Sequence, residues 1–206
     1  MSFQKINGAI DRTTTDGWAG YPNDFLEFLY NRVIDKKPNN ILEFGTGWGY
    51  TTIALAQGLN DSENYNGMVY TYDHFFDDYD GTWTNNQVSV NNNLKMFGVD
   101  DYVKTHSMNI FEWFNNPFNF ELAFIDLHNN GDTLNKLFNQ EFFKQSVKNG
   151  AEILFCGGSE LRDEINVIRN ERKISSVDCE IECVFGGPSP ENPKGMKSCI
   201  AKIMRY

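Results

Sequence analysis

Basic residues are scarce in this chain. Lysine and arginine together number 18 against 28 acidic residues, which gives a formal net charge of −10 over 206 residues. Nucleic acids and anionic membranes attract clustered positive charge, so both are unfavourable partners for such a chain. The opening stretch MSFQKINGAIDRTTTDGW lacks the apolar centre of a secretory signal, and no apolar run reaches the roughly 20 residues that span a bilayer. We therefore expect a cytoplasmic protein.

Cysteine is also rare, and its four occurrences lack the spacing of a zinc site. Reduced, buried thiols are the expected state of Cys156, Cys179, Cys183 and Cys199. Hydrophobic residues make up 40% of the chain, which excludes a disordered composition. The length fits one domain over residues 1–206, in which segment 1–37 is expected to form a lid or a contact in a possible homodimer.

Hydrophobic periodicity predicts strands that alternate with helices. The predicted strands span residues 40–44, 67–73, 101–106, 120–126, 151–156, 178–185 and 197–206. The predicted helices span residues 22–37, 50–59 (ending near Gly58), 85–98, 133–150 and 160–173. Alternation of this kind requires crossovers, which place parallel strands in one sheet with helices on both faces. We therefore predict an α/β fold with a seven-stranded, mostly parallel sheet whose last strand is antiparallel.

A glycine-rich turn lies between the first strand and the helix that follows it, in LEFGTGWGYTT. Glycine permits backbone angles that other residues avoid and lets a ligand approach the main chain closely. The spacing differs from G-x-G-x-x-G, because the sixth position from Gly45 is Tyr50, and the lysine of a phosphate-binding loop is missing. Glu43 before the turn favours a ligand that carries positive charge. A turn that only packs tightly is the alternative.

The pattern Leu42-Glu43-x-Gly45-x-x-x-Gly49-Tyr50-Thr51 resembles the first motif of the class I S-adenosylmethionine-dependent methyltransferases. It is most similar to the catechol-type and macrocin-type small-molecule O-methyltransferases, and the resemblance covers roughly residues 22–158. It implies a Rossmann-like methyltransferase domain and S-adenosylmethionine as the cofactor.

The resemblance also implies cofactor roles for residues of the first motif. Glu43 would lie near the cationic end of the cofactor, directly or through the loop. Thr51 would hold the methionine carboxylate. The turn itself would pass beneath the methionine and ribose portions with the backbone of Gly45, Thr46, Gly47 and Gly49.

Further roles fall at the ends of the later strands. Asp73 would accept hydrogen bonds from both ribose hydroxyls, and His74 would stack near the adenine. Met108 and Asn109 would contact the adenine face and edge, while Asp126 would lie beside the methionine amino group and the transferable methyl. The alternative is that Asp73 and Asp126 are solvated strand-end acids and that Met108 belongs to the core.

Catalysis would require a base for the acceptor hydroxyl and, in catechol-type relatives, a divalent metal. The later metal-binding position reads Cys156-Gly157-Gly158, without the oxygen ligands that Mg²⁺ prefers, so a divalent metal is not expected. The usual base position holds Asn129, and we predict that His128 beside it serves instead, with Asp126 as the second catalytic residue. A surface role for His128 is the alternative.

The acceptor pocket would be built from short aromatic segments, since no substrate domain is inserted. The candidate walls, which could equally belong to the core or a dimer contact, are Trp18, Tyr21, Phe75, Phe76, Tyr79 and Trp83. They suit a small-molecule acceptor. The predicted function is methyl transfer to such an acceptor, at a hydroxyl oxygen. The alternative is a protein that binds S-adenosylmethionine without transferase activity.

Overall fold

The computed structural model describes residues 2–6, 21–62, 66–75, 87–127, 131–159, 174–186 and 197–206. It forms two compact units, Met1–Asn116 and Pro117–Tyr206. The predicted helix over residues 160–173 lies outside the described residues. A single functional domain over the whole chain stays a prediction.

The first unit contains three strands and four α-helices among its described residues. The strands are β1 (Asn40–Phe44), β2 (Met68–Asp73) and β3 (Val103–Ser107), and the helices are α1 (Asn23–Lys36), α2 (Tyr50–Asp61), α3 (Gln87–Met96) and α4 (Ile110–Trp113). The strands follow the order β3-β2-β1 and are parallel. Parallel pairing brings their carboxyl ends, Phe44, Asp73 and Ser107, to the same edge.

Helix α2 does not end near Gly58, as the sequence predicts, but continues to Asp61. Gly58 serves the packing of α1 against α2. A Cβ atom at this position would lie 2.7 Å from Val33 Cβ and 2.9 Å from the main-chain oxygen of Tyr30. The glycine is therefore explained by the close approach of α1 rather than by a helix end.

The first residues of the chain dock on the same two helices. The side-chain amide of Gln57 accepts a hydrogen bond from Gln4 N at 3.0 Å and donates one to Gln4 O at 3.3 Å. Ile6 N donates to Asn23 Oδ1 at 3.0 Å, and the Ile6 side chain is fully buried. Residues 2–6 are thus part of the packed unit, while a lid or dimer role for segment 1–37 stays a prediction.

The second unit contains four strands, in the order β4-β5-β7-β6. They are β4 (Leu122–Ile125), β5 (Glu152–Ser159), β6 (Asp178–Gly186) and β7 (Lys197–Arg205). Strand β4 is parallel to β5, whereas β7 is antiparallel to both β5 and β6. The described residues thus confirm seven strands, a mostly parallel arrangement and an antiparallel last strand.

The predicted single helix over residues 133–150 is wrong, because two helices occupy this stretch. They are α5 (Gly131–Phe138) and α6 (Glu141–Lys148), separated by Gln140 with extended backbone angles. In one continuous helix, Phe138 and Phe143 would point about 140° apart, since each residue turns by about 100°. The break allows both aromatic side chains to be fully buried.

Every helix among the described residues is too short or too polar to span a bilayer.

Candidate functional site

The glycine turn connects β1 to α2, and its three glycines have positive φ angles of 92°, 53° and 87° at Gly45, Gly47 and Gly49. Gly49 N donates to Thr46 O at 2.9 Å, which closes a four-residue turn. Because φ is positive at Gly47 and not at Trp48, this turn has the φ pattern of type II′, whose first central position favours glycine. The local backbone thus explains the glycine at position 47.

All three glycine N–H groups bond within the protein. Gly45 N donates to Tyr72 O at 2.9 Å, and Gly47 N donates to Asp73 Oδ2 at 2.9 Å. These two bonds hold the turn against the end of β2. The glycine amides are therefore occupied, and an anionic ligand group would need other donors.

Such donors are available in the first turn of α2. Its N-cap residue is Gly49, and no side chain caps the helix. The amides of a first helical turn have no partner within the helix, and together with the helix dipole they favour a negatively charged group. The start of α2 therefore fits a carboxylate better than the glycine amides do.

The described residues leave space above Gly47. A Cβ atom there would meet none of their atoms within 4 Å, whereas one at Gly49 would lie 3.4 Å from Val90 Cγ1. Thr46 is buried, and its hydroxyl lies 2.6 Å from that of Thr71 on β2. Gly47 is thus the position at which a ligand could contact the main chain.

Glu43 is fully buried and does not face this open space. Its carboxylate accepts hydrogen bonds from Thr51 Oγ1 at 2.6 Å and Thr52 Oγ1 at 2.5 Å. The carboxylate ties the end of β1 to the first turn of α2. The role of Glu43 near the cationic end of the cofactor, directly or through the loop, stays a prediction.

Thr51 takes part in the same contact. A hydroxyl has one hydrogen to donate, and that of Thr51 goes to Glu43. The role of Thr51 towards a methionine carboxylate stays a prediction. The main-chain N–H of Thr51, in the first turn of α2, is the donor that remains.

Asp73 occupies the end of β2 and is half-buried. Besides the bond from Gly47 N, its Oδ1 accepts a hydrogen bond from Phe75 N at 3.2 Å. An ionised carboxylate offers about four lone-pair sites, so two main-chain bonds leave capacity for two hydroxyl donors. The predicted pairing with a ribose diol fits this geometry and stays a prediction.

Three other predicted residues lie at the same strand ends. His74 is exposed, and its main-chain oxygen accepts a bond from Ser107 Oγ at 3.2 Å. Met108 is half-buried rather than part of the core, and its N–H donates to Asp73 O at 3.0 Å. Asn109 caps the short helix α4, which the sequence did not predict, by accepting from Phe111 N at 3.0 Å. The adenine contacts assigned to these residues stay predictions.

An aromatic stack lies one residue before these strand ends. The ring of His106 on β3 stacks on Tyr72 of β2 with centroids 4.6 Å apart and planes 12° from parallel. Burial lowers the pKa of His106, and nearby Lys104 lowers it further. The imidazole is therefore neutral at neutral pH and packs as an aromatic ring.

The second unit holds the residues predicted for catalysis. Asp126 directly follows β4 and is half-buried. His128 and Asn129 lie outside the described residues, as do the proposed pocket residues Trp18, Phe76, Tyr79 and Trp83. Of the remaining pocket candidates, Tyr21 stacks on Phe25 of α1 at 4.3 Å, and Phe75 has a positive φ of 49°.

A divalent metal would be held by residues at the ends of β4 and β5. Cys156, at the position where the resemblance to catechol-type enzymes implies an oxygen ligand, is buried within β5. Within the described ranges, no cluster of three or more His, Cys, Asp or Glu side chains could hold a metal ion. Whether catalysis uses a divalent metal stays a prediction from the sequence.

The chain is similar to known methyltransferases over the residues that form this site. A family model described as a methyltransferase domain matches residues 42–155, which include the glycine turn, Asp73 and Asp126. No curated protein matches the sequence.

Solved structures of low sequence identity share the fold. A putative O-methyltransferase from Klebsiella pneumoniae aligns with a TM-score of 0.59 and 17% identity, over 94% of this chain and 84% of its own. The O-methyltransferase TomG from Streptomyces achromogenes, solved with S-adenosylmethionine, aligns at 0.57 and 16% over 91% and 82%. An O-methyltransferase from Bacillus cereus, solved with S-adenosylhomocysteine, aligns at 0.57 and 19% over 89% and 82%.

These similarities confirm the predicted Rossmann-like methyltransferase fold. The family match includes both the glycine turn and the strand ends described above, and it spans more than half of the 206 residues. The chain therefore belongs to the methyltransferase domain family.

Proposed function

We propose that the protein binds S-adenosylmethionine at the glycine turn and transfers its methyl group to a hydroxyl oxygen of a small molecule. The observation that carries this proposal is the bond of 2.9 Å from Gly47 N to Asp73 Oδ2. It sets a strand-end carboxylate beside Gly47, where an added Cβ would meet no atom of the described residues within 4 Å.

Three features of the first unit fit the cofactor. The open space above Gly47 accommodates the approach of a ribose or methionine backbone. The Asp73 carboxylate has acceptor sites for a vicinal diol. The uncapped first turn of α2 suits the methionine carboxylate. When bound, the sulfonium supplies a methyl group that is activated for transfer.

The chain must then position the acceptor, exclude water and remove a proton. In the proposed reaction the acceptor oxygen attacks the methyl carbon, the bond from this carbon to sulfur breaks, and the acceptor proton passes to a base. We assign the base to His128, because a neutral imidazole accepts a proton near neutral pH. We assign Asp126 to the methionine amino group, which its carboxylate would hold beside the reacting methyl.

The choice of oxygen as the target is supported by the three structural neighbours described above, which are named as O-methyltransferases, the one from Klebsiella pneumoniae as a putative one. TomG acts in tomaymycin synthesis, which agrees with a small-molecule acceptor. The net charge of −10 supports the proposal that nucleic acids and membranes are not partners. We also propose a cytoplasmic location and a possible homodimer.

Calorimetry with S-adenosylmethionine and S-adenosylhomocysteine tests the cofactor assignment. We expect binding by the wild type and about tenfold weaker binding by Asp73→Asn, because an amide offers one acceptor oxygen where the turn, Phe75 and the diol need two. Asp35→Asn removes the same charge at an exposed site on α1 and should bind as the wild type does. Wild-type protein that releases no heat at millimolar ligand would remove the cofactor from the proposal.

Turnover tests the transferase activity itself. A panel of hydroxylated acceptors should be methylated from labelled S-adenosylmethionine, at equal rates with Mg²⁺ and with a chelator. Binding without turnover of any acceptor would instead support the alternative, a cofactor-binding protein without transferase activity. Turnover that depends on Mg²⁺ would contradict the expected absence of a metal.

A further inference from the structure

Helix α3 carries an amide-rich sequence, QVSVNNN from Gln87 to Asn93, that the cofactor assignment leaves unexplained. Asn93 is 4% exposed and is thus among the buried polar residues of the chain. Its Nδ2 donates a hydrogen bond of 3.1 Å to the main-chain oxygen of Trp48, inside the glycine turn. Since a carbonyl oxygen can only accept, the nitrogen of the Asn93 amide must face it.

The peptide between Trp48 and Gly49 is therefore held from both sides. Its oxygen accepts from Asn93, and its N–H donates to Thr46 O at 2.9 Å. In a trans peptide these two groups point in opposite directions, so the two bonds together fix the orientation of the peptide plane.

Local sequence alone would not fix this plane. Rotation of the peptide changes φ at Gly49, and glycine adopts positive and negative φ about equally well. A flipped peptide would turn the Trp48 carbonyl towards the Thr46 oxygen and would break the bond that closes the turn. The hydrogen bond from Asn93 therefore favours one of the two orientations of the Trp48–Gly49 peptide, which Gly49 by itself does not.

Helix α3 is well placed for this role because it is anchored on the neighbouring strand. Gln87 Nε2 donates to Thr105 O at 2.9 Å, and Asn91 Oδ1 accepts from Thr105 Oγ1 at 3.1 Å. On the same helix, Val90 lies close enough to contact a side chain at Gly49. The helix thus bonds to β3 through Gln87 and Asn91 and to the turn through Asn93.

We propose that Asn93 is a positioning residue for the cofactor, which acts by holding the Trp48–Gly49 peptide in the orientation that keeps the type II′ turn closed beneath the ligand. The proposal rests on the proposed function, in which this turn binds S-adenosylmethionine. Asn93 does not touch the reacting atoms; its effect passes through the main chain of the turn.

Two isosteric substitutions on the same helix test the proposal. Asn93→Asp replaces the donor by an acceptor facing the Trp48 oxygen, and we expect about tenfold weaker binding of S-adenosylhomocysteine at pH 8. Asn91→Asp is the matched control, because Asn91 uses its oxygen as an acceptor and a carboxylate retains that role. Its affinity should stay within about twofold of the wild type, so equal losses in the two variants would overturn the proposal.

Burying a charge could prevent Asn93→Asp from folding, so Asn93→Ala is the second variant. Leu94→Ala provides its control, since it removes a side chain that is 2% exposed on the same helix and retains the Asn93 amide. We expect Leu94→Ala to lower the melting temperature and to keep the affinity of the folded protein, whereas Asn93→Ala lowers the affinity. A folded Asn93→Ala protein with wild-type affinity would contradict the proposal.

A ligand-free measurement separates this proposal from the cofactor assignment. Loss of the hydrogen bond to the Trp48 oxygen should shift the amide nitrogen resonance of Gly49, in Asn93→Ala and not in Leu94→Ala, without any ligand present. If the wild type binds no S-adenosylhomocysteine, the proposed function fails, while the Gly49 resonance still decides whether Asn93 orients the peptide. An unchanged resonance in Asn93→Ala would overturn the positioning role.

Discussion

The turn before helix α2 and the helix itself use glycine for opposite physical reasons. In the turn, Gly47 has a φ of +53°, and a Cβ atom there would meet no atom of the described residues within 4 Å. Near the other end, Gly58 lies within the helix, and a Cβ atom would lie 2.7 Å from Val33 Cβ. The first glycine borders open space and the second borders a filled interface.

The surroundings of the missing Cβ atom distinguish these two kinds of glycine. A glycine pressed by protein atoms on the side of its missing Cβ is explained by packing. A glycine that borders open space and needs positive φ is explained by its turn, and it leaves room for a ligand. Gly47 and Gly58 should therefore respond to the same substitution through different measurements.

The largest effect is expected for Gly47→Ala, which tests the open side of the comparison. The added methyl group would enter the space assigned to the cofactor, and we expect about hundredfold weaker binding of S-adenosylhomocysteine by calorimetry, or about 2.7 kcal/mol. Positive φ in an alanine adds about 1 kcal/mol of instability.

The matched control for Gly47→Ala is Gly98→Ala. Gly98 also has a positive φ, +65°, and an added Cβ would lie more than 4 Å from every other atom in the described part of the chain, its chain neighbours aside. Its substitution should therefore cost similar stability and leave the affinity unchanged. Equal affinities of the two variants would mean that the space above Gly47 does not hold the cofactor.

The next effect is expected for Gly58→Ala, which tests the filled side. Overpacking against Val33 and Tyr30 should cost about 2 kcal/mol of stability, or about 5 °C in melting temperature. The folded protein should bind S-adenosylhomocysteine as the wild type does. Adding Val33→Ala should recover part of the loss, and a double variant that is simply additive would argue against the predicted clash.

The smallest effect concerns the pH dependence of stability. It extends the comparison to His106, whose ring packs on Tyr72 one residue before the strand ends. Burial lowers the pKa of His106 in the folded protein below the unfolded value of about 6.5, with Lys104 acting in the same direction. The unfolded chain therefore binds more protons below about pH 6.5, so this histidine reduces stability as the pH falls through that range. At higher pH its contribution should be constant.

His106→Phe checks this prediction, because it retains a ring to stack on Tyr72 and removes the titrating group. Urea unfolding of both proteins between pH 5 and pH 8 should show the variant losing less stability than the wild type towards acidic pH. Parallel stability curves would assign the acid sensitivity to other groups.

Much of the first unit was predictable because the signals are local. A short apolar strand, a run of glycines and a helical pattern indicated the turn from Gly45 to Gly49, and β2 ends at Asp73 as predicted. Parallel pairing then required their carboxyl ends to meet. The sequence shows Asn93 as one of several amide residues in a predicted helix, but it does not show that this side chain bonds to the Trp48 oxygen.

Other features could not be predicted because they depend on contacts between distant residues. The sequence shows an acid at Glu43 but not that each of its carboxylate oxygens accepts a hydrogen bond from a threonine hydroxyl of α2. The helical pattern of the sequence extends across Gln140, yet the helix is interrupted there. Both Phe138 and Phe143 are fully buried as a result. His128, the predicted base, lies outside the described residues.

Backbone preference and hydrophobic period act over a few neighbouring residues, so the order of strands and helices, the glycines of the turn and the acid at the end of β2 could be predicted from the sequence. The burial of Glu43, the packing at Gly58 and the hydrogen bond from Asn93 to the Trp48 carbonyl became visible in the folded chain. Burial and hydrogen-bond partners depend on contacts between segments that are distant in the sequence, and the sequence does not state which segments make contact.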